Sequence, residues 1–206
     1  MYPSSLRDRI LDWLNVNVPR PRIRHILGVE QTAFEWAQLY GLDAERAAWA
    51  GLLHDVAKYF SGDRLLDMAA TEGLILDSVL KKTPHLIHAD VGAIVARDKF
   101  GVTDSEILDA IRLHTLGAPG MSSLSCIVFL ADALEPNRGQ SEDLKNLRNL
   151  VERHLYRAVV AVSDRSLQYL IAKKDPVHPR TVETRDWFAR NFAYSPLPIV
   201  QESIAC

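Results

Sequence analysis

The chain has 206 residues, of which 48% are hydrophobic and 24% charged, and its formal net charge is −2. A chain of this length can bury one substantial core, and its balanced charge gives no global reason to expect nucleic acid as a partner. The cysteines, Cys126 and Cys206, lie far apart in sequence, which argues against a disulfide framework. Without a signal-peptide apolar region or a membrane-spanning run, we expect a soluble, cytoplasmic protein with no membrane contact.

Hydrophobic periodicity predicts helices along almost the whole chain. The first clear helix covers 26–40 and is followed by Gly41, a residue type that commonly ends helices. Asp43 is a suitable N-cap for the next helix, which we expect to reach Ala57 before the Ser61–Gly62 pair interrupts it.

The middle of the chain carries two further helix starts. Thr83 and Pro84 form an N-cap and a first-turn proline for a helix through Lys99, stopped by Gly101. The segment Thr103–Glu106 is a capping box that opens another helix, with Ile107, Ala110, Ile111 and His114 on one side. A glycine- and proline-containing loop at 116–120 separates this helix from the next.

The last third begins with 122–134, which is apolar except for a few serines and Asp132. Ser141 caps a helix that we expect to continue to Lys173, and Thr181 starts a short final helix after a loop at 175–180. No alternating strand pattern, repeat or linker is present. The sequence therefore predicts one all-α domain spanning 1–206, with a core at about 20–190 and a loose tail after about 194.

An ordered series of histidines and aspartates stands on or beside these helices: His25, His54, Asp55, His88, His114 and Asp132. Imidazole and carboxylate are the usual ligands for a metal that must also hold water and phosphate oxygens. A single His-Asp pair is weak support in a chain with seven histidines, but the ordered series is much stronger.

Most members of the series also have a structural explanation that involves no metal. His25 alone could be a half-buried surface residue, and His54 with Lys58 could form only a polar stripe. His114 alone would be interpreted as a core histidine that donates to a carbonyl. Asp132 favours the metal site, because an unpaired carboxylate in an apolar helix costs several kcal/mol and must be protonated, paired or metal-bound.

The sequence around these residues resembles the HD-domain metal-dependent phosphohydrolase superfamily and, within it, the YqeK-type family of symmetrical bis(5′-nucleosyl)-tetraphosphatases. The matching segments are 24–29, 51–58, 88–93, 110–117, 121–122, 131–138 and 177–181. Together they run from about Arg22 to Thr184. The Glu-Pro-x-Arg and His-Pro-x-Thr elements are more specific than the His-Asp pair.

The resemblance implies an all-α HD-domain helical bundle that cleaves diadenosine tetraphosphate, a dinucleoside polyphosphate, into two ADP. It implies an iron-type metal centre, with manganese, cobalt and magnesium as alternatives. It also implies a nucleotide site around the metal, and the matching positions are Arg22, Lys58, Tyr59, Phe60, Ser61, His88, His114, Arg138 and His178.

The chemistry expected of these residues follows from their types. The metal ligands are His25, His54, Asp55 and Asp132, with open positions left for water and a phosphate oxygen. Asp55 or Asp132 also orients or deprotonates that water. His88 and His114 either donate to phosphate oxygens or bind a second metal, and Lys58 and Arg138 meet the remaining negative charge. As an alternative, Arg138 is a loop residue paired with Glu135 or Glu142.

Two other functional classes stay open. Another HD-type phosphohydrolase or phosphodiesterase would act on nucleoside mono- or triphosphates or on cyclic dinucleotides, but the cyclic-dinucleotide enzymes carry Gly-Tyr-Pro after the His-Asp pair. This chain has Val-Ala-Lys-Tyr-Phe there. A non-catalytic nucleotide-sensing module would have lost at least one ligand, and none is lost here. The oligomeric state is open, with a homodimer as one option.

Overall fold

The computed structural model describes residues 4–192, and the regular structure in this range is entirely helical. Its α-helices are α1 (Ser4–Asn17), α2 (Arg20–Leu39), α3 (Ala44–Leu53), α4 (Gly62–Thr71), α5 (Ser78–Lys82), α6 (His88–Phe100), α7 (Ser105–Leu113), α8 (Ser123–Leu134), α9 (Glu142–Arg153), α10 (Leu155–Lys173) and α11 (Pro179–Phe192). Short 3₁₀ helices cover Pro84–Ile87 and Pro136–Arg138. The predicted all-α class is confirmed. The predicted tail and Cys206 lie outside the described residues.

Helix α8 lies in the centre of the bundle, where α2, α3, α7 and α10 pack against it. Most of its side chains are buried, among them Cys126, Ile127 and Leu130, as the apolar sequence predicts. The Ser122 hydroxyl caps it by accepting from the backbone N–H of Ser125 at 3.1 Å. Asp132 comes in its last turn, where the helix approaches the surface. None of the helices in the described part of the chain is long and apolar enough to cross a bilayer.

The long helix α2 packs side by side with α3, and α1 packs onto α2 with Leu6 and Ile10 buried. Helix α6 approaches the end of α3 closely at Gly92. A Cβ on Gly92 would lie 3.3 Å from the carbonyl oxygen of His54, so a small residue is needed there.

Two predicted helix starts are displaced. The helix expected from Thr83 begins as a 3₁₀ turn and becomes α-helical only at His88, because the Thr83 hydroxyl donates to the carbonyl of Val79 instead of capping. The N-cap of α7 is Asp104, one residue after the predicted Thr103. Its carboxylate accepts from the N–H groups of Glu106 and Ile107 at 3.0 and 3.4 Å.

The single helix predicted from Ser141 to Lys173 is wrong. The chain leaves helical geometry at His154 (φ −149°, ψ 79°), and α9 and α10 meet there. Val151 and Leu155 are buried on either side of the break. The Tyr40 hydroxyl donates to the carbonyl of Val151 and so satisfies an oxygen that a continuous helix would use itself.

Other helix boundaries differ from the predicted ones by a few residues. The helix predicted to reach Ala57 ends at Leu53, and the segment 54–59 forms turns. The final helix begins at Pro179 and is not short, since it spans 14 residues. Helices α1, α4 and α5 were not predicted individually; Ser61, predicted as a breaker, is also the N-cap of α4.

Candidate metal centre

Six of the predicted side chains come together, and we call this group the HD cluster: His25, His54, Asp55, His88, His114 and Asp132. His25 lies in the second turn of α2, and the other five lie at or next to helix ends. His54 and Asp55 follow α3 directly, His114 follows α7, and His88 is the first residue of α6. A side chain at a helix end can reach inward without interrupting the helix. The local sequence therefore places the cluster where the helices of the bundle converge.

Three of these histidines are oriented by their own backbone. Nδ1 of His54 donates to the carbonyl of Gly51 at 2.7 Å, and Nδ1 of His114 donates to that of Ile111 at 2.7 Å. Nδ1 of His88 donates to the carbonyl of His85 at 2.5 Å. Because a carbonyl oxygen only accepts, Nδ1 carries the proton in each case. The lone pair of each Nε2 is left to face the cluster.

The imidazoles form a row in the order His25, His54, His114, His88. Neighbouring ring centroids along the row are 5.3, 4.9 and 5.0 Å apart. Nε2 of His88 lies 3.1 Å from Nε2 of His114, so two lone pairs face one another. Such an approach is favourable when a proton or a cation lies between the two nitrogens.

Asp55 lies in the middle of this row. Its Oδ2 is 3.4 Å from Nε2 of His54 and 4.0 Å from Nε2 of His25. Its Oδ1 is 3.3 Å from Nε2 of His88 and 3.7 Å from Nε2 of His114. One carboxylate therefore serves both ends of the row, an arrangement compatible with one metal or two.

Asp132 completes the end of the row near His25. Its Oδ1 is 3.0 Å from Nε2 of His25 and 3.7 Å from Nε2 of His54. The side chain of Asp132 is 22% exposed, whereas that of Asp55 is 2% exposed. Asp132 is thus the carboxylate of the cluster that solvent reaches.

The residues fit a metal ion. Donor atoms of His25, His54 and Asp55 lie within 4.8 Å of one another, and so do those of two overlapping groups in the cluster. Nε2 of His54 is buried and has no hydrogen-bond partner among the described residues. A buried nitrogen lone pair next to two carboxylates is the environment that a cation stabilises.

The electrostatics keep both carboxylates and His88 in the form that binds cations, whereas Asp55 and Asp132 outweigh burial and raise the pKa of His54. Burial raises the pKa of Asp55, but His54, His114 and His88 outweigh it and hold that pKa well below its ordinary value. Desolvation also raises the pKa of Asp132, and His25 and His54 overcome it, so its pKa is lowered as well. Burial lowers the pKa of His88 to about 4, which leaves this imidazole neutral near neutral pH.

Three cations border the cluster. Nζ of Lys58 donates to Nε2 of His88 at 3.2 Å, and burial lowers its pKa. The Arg22 guanidinium donates to Oδ2 of Asp55 at 3.0 Å. Arg138 contacts Oδ1 of Asp132 at 2.6 Å, so the alternative pairing with Glu135 or Glu142 is wrong. Guanidinium groups have no lone pair for a metal, but they bind phosphate oxygens well.

The outer predicted positions separate into two groups. Arg22, Tyr59 and Arg138 line a cavity of about 240 Å³ beside His25, together with Pro21, Glu135 and Asn137. Phe60, Ser61 and His178 have other contacts: Phe60 lies under the Arg64 guanidinium, Ser61 caps α4, and His178 pairs with Asp77 at 2.9 Å. No described contact joins these last three residues to the HD cluster.

Sequence reasoning missed two residues that touch the cluster. Oγ1 of Thr115 is 3.0 Å from Nε2 of His114 and 3.2 Å from Nε2 of His88. Thr115 also lines a cavity of about 700 Å³ with Arg165 and Tyr169. Glu135 accepts from Nδ1 of His25 at 2.9 Å. The available signals were a hydroxyl directly after His114 and a carboxylate directly after an apolar helix.

Comparison with known proteins identifies the family of the chain. The sequence profile of the HD domain family matches residues 22–137. A protein of Halalkalibacterium halodurans named symmetrical bis(5′-nucleosyl)-tetraphosphatase is 34% identical over 178 residues, which cover 86% of this chain and 94% of that protein. A protein of the same name from Bacillus subtilis is 35% identical over 181 residues, covering 88% and 96%.

A solved structure has the same fold. It is described as a predicted HD superfamily hydrolase involved in NAD metabolism, from Clostridium acetobutylicum. Its TM-score is 0.86 at 33% sequence identity, and the match covers 92% of this chain and 98% of that one.

Proposed function

The chain belongs to the HD-domain family, in the branch of the symmetrical bis(5′-nucleosyl)-tetraphosphatases, and we propose that it is a metal-dependent hydrolase that cleaves diadenosine tetraphosphate into two ADP. The observation that carries the proposal is the HD cluster, in which imidazole nitrogens and two carboxylates converge beside Lys58, Arg22 and Arg138. Metal ligands and phosphate-binding cations are thereby combined in one site.

The metal ligands in this proposal are His25, His54, Asp55 and Asp132. A metal bound there supplies a polarising charge for the phosphoryl group and lowers the pKa of a coordinated water. The mixed nitrogen and oxygen donor set suits a transition metal better than magnesium. We propose iron, with manganese and cobalt as substitutes.

The protein's own groups then orient the reactants. Asp132 is the more exposed carboxylate, so we assign it the orientation of the attacking water. Asp55 stays largely buried among the imidazoles as a ligand. His88 and His114, with Lys58, contact phosphate oxygens at the other end of the row, where Lys58 already donates to His88.

The two halves of the substrate require two nucleotide sites, one on each side of the bond that breaks. Cavities adjoin both ends of the imidazole row: the one with Arg22, Tyr59 and Arg138 adjoins His25, and the larger one adjoins Thr115 beside His88 and His114. A cluster between two such spaces favours cleavage in the middle of a symmetrical tetraphosphate.

The remaining predicted nucleotide contacts lie farther out. Phe60, Ser61 and His178 have described partners outside the HD cluster, so in this proposal they contact parts of the nucleotide remote from the reacting phosphate. We also propose that residues of about 20–190 act as one HD domain and that the enzyme works in the cytoplasm.

The test is a product analysis. Purified protein loaded with Fe²⁺ under anaerobic conditions is incubated with diadenosine tetraphosphate and with nucleoside mono- and triphosphates, and the products are separated by chromatography. We expect diadenosine tetraphosphate to be the preferred substrate and ADP to be its only product. AMP plus ATP would contradict symmetrical cleavage, and preference for a mono- or triphosphate would assign the site to another HD-type reaction.

A further inference from the structure

His25 is anchored differently from the other histidines of the HD cluster. His54, His88 and His114 donate from Nδ1 to backbone carbonyls, which are neutral. Nδ1 of His25 instead donates to Oε1 of Glu135 at 2.9 Å, and Glu135 is only 1% exposed. A carboxylate that accepts from a metal-binding imidazole fixes its tautomer and makes the opposite nitrogen a stronger donor.

The carboxylate of Glu135 is itself held in place. Its Oε2 accepts from the backbone N–H of Asn137 at 2.7 Å and from Nδ2 of Asn137 at 2.8 Å. The turn that carries it is fixed by Arg148, which donates to the carbonyls of Leu134 at 2.6 Å and Gly139 at 2.8 Å. Such bonds offset the cost of burying a charged group.

Space for this carboxylate is left by Gly28. Gly28 lies on α2, three residues after His25, and a Cβ built on it would be 2.3 Å from Oε2 of Glu135. Any side chain at this position would displace the carboxylate from His25. Two separate sequence segments, His-Ile-Leu-Gly and Glu-Pro-Asn, therefore pack together to hold the imidazole of His25 against the carboxylate of Glu135.

We propose that Glu135 is a positioning residue that acts through the imidazole of His25 and raises the affinity of the HD cluster for its metal. This inference depends on the metal site of the proposed function and not on its substrate. The charge of Glu135 is the active feature, because the other three imidazoles achieve the same orientation with neutral carbonyl acceptors.

The test measures metal affinity without any substrate. Co²⁺ is used as the probe, in equilibrium competition with a chelator, for the wild-type protein, Glu135→Gln and the control Glu152→Gln. Gln keeps the volume and an acceptor oxygen but removes the charge. We expect Glu135→Gln to bind Co²⁺ about 10–100-fold more weakly and the exposed Glu152→Gln control to stay within about twofold of wild type.

A second readout separates positioning from a loss of structure. Circular dichroism of the metal-free proteins reports the fold, and the visible absorption of bound Co²⁺ reports the ligand field, which a distant structural defect would leave unchanged. Asn137→Ala removes only one of the two bonds to Oε2 and decides the question if Glu135→Gln fails to fold; we expect a several-fold loss of affinity.

Two outcomes would contradict the inference in different ways. If folded Glu135→Gln binds Co²⁺ as tightly as wild type, or if Asn137→Ala does so when the Gln variant is unfolded, Glu135 has no role at the metal. If the wild-type protein binds no Co²⁺, the proposed metal site is wrong. The proposed role of Glu135 is then also wrong, whatever nucleotide the protein hydrolyses.

Discussion

The two ends of the imidazole row are built from different groups. At the His25 end, the carboxylates of Asp132 and Glu135 contact the ring at 3.0 and 2.9 Å. At the other end, His88 and His114 are anchored by carbonyls and contacted by the Thr115 hydroxyl. The His25 end, with its carboxylates, is suited to hold a metal cation tightly, whereas the other end, where Lys58 donates to His88, is suited to the phosphate oxygens of a substrate that binds and leaves. We therefore expect substitutions at the two ends of the row to differ in their effects on metal binding and on catalysis.

The largest effect is expected where the two ends meet. His54→Ala or Asp55→Ala should remove bound metal and lower activity by more than about a thousandfold, because the metal-activated water provides much of the catalysis. The helical circular dichroism signal should be largely retained, since a missing ligand disrupts the site more than the fold. Metal content by elemental analysis and the rate are measured on the same samples, with the exposed Asp67→Ala as control. Full activity in metal-free Asp55→Ala protein would contradict the mechanism.

Changing the other end should separate catalysis from metal content. His88→Ala should leave the metal content per chain at the wild-type level while kcat falls by about 10²–10⁴-fold, the range of a lost proton-transfer or phosphate-orienting group. Elemental analysis and steady-state kinetics measure the two quantities. A fall in metal content would instead place a second metal at His88 and His114, and the division between the ends would be wrong.

Arg138 lies at the His25 end, beside Asp132, but has no lone pair for a metal. Arg138→Ala should keep the metal and lower kcat/KM. The loss should correspond to about 1–3 kcal/mol of transition-state stabilisation, the scale of a lost charged hydrogen bond. Lys should restore only part of the loss, because a point charge does not replace a two-pronged grip. The exposed Arg153→Ala is the matched control. Wild-type kinetics in Arg138→Ala would reduce Arg138 to a partner of Asp132.

The smallest effect is expected in the cavity beyond Thr115. Tyr169 is 61% exposed and lines this cavity, so its ring is available to stack on a base. Tyr169→Ala should raise KM for diadenosine tetraphosphate by about fivefold, corresponding to about 1 kcal/mol, with little change in kcat. Initial-rate kinetics provide both constants. An unchanged KM would exclude this cavity as the second nucleoside site.

Much of the fold was predictable because helical periodicity and caps are local signals. Asp43 and Ser141 cap the helices that their positions predict. The break at His154 was not predictable, because no glycine or proline marks it and a hydroxyl from distant Tyr40 stabilises it. The shift from Thr103 to Asp104 reflects competition between two neighbouring residues that can both cap a helix.

The residues of the HD cluster were predictable from the sequence, whereas several residues around it were not. The six members of the HD cluster converge as the ordered series predicts, because residue types that bind metal are scarce in apolar helices. Glu135 and Thr115 were missed, since their importance comes from the side chains that the fold brings beside them. The contacts of Phe60, Ser61 and His178 likewise depend on tertiary packing that no motif specifies.

The most direct test for a catalytic metal centre in the HD cluster is a metal titration of chelator-treated protein. Fe²⁺ is added in steps under anaerobic conditions, and ADP release from diadenosine tetraphosphate is followed together with bound metal. We expect the metal-free protein to be inactive, activity to rise in proportion to bound metal until the HD cluster is filled, and ADP to be the only product throughout. Full activity before any metal is added would contradict the central claim that this cluster is a catalytic metal centre.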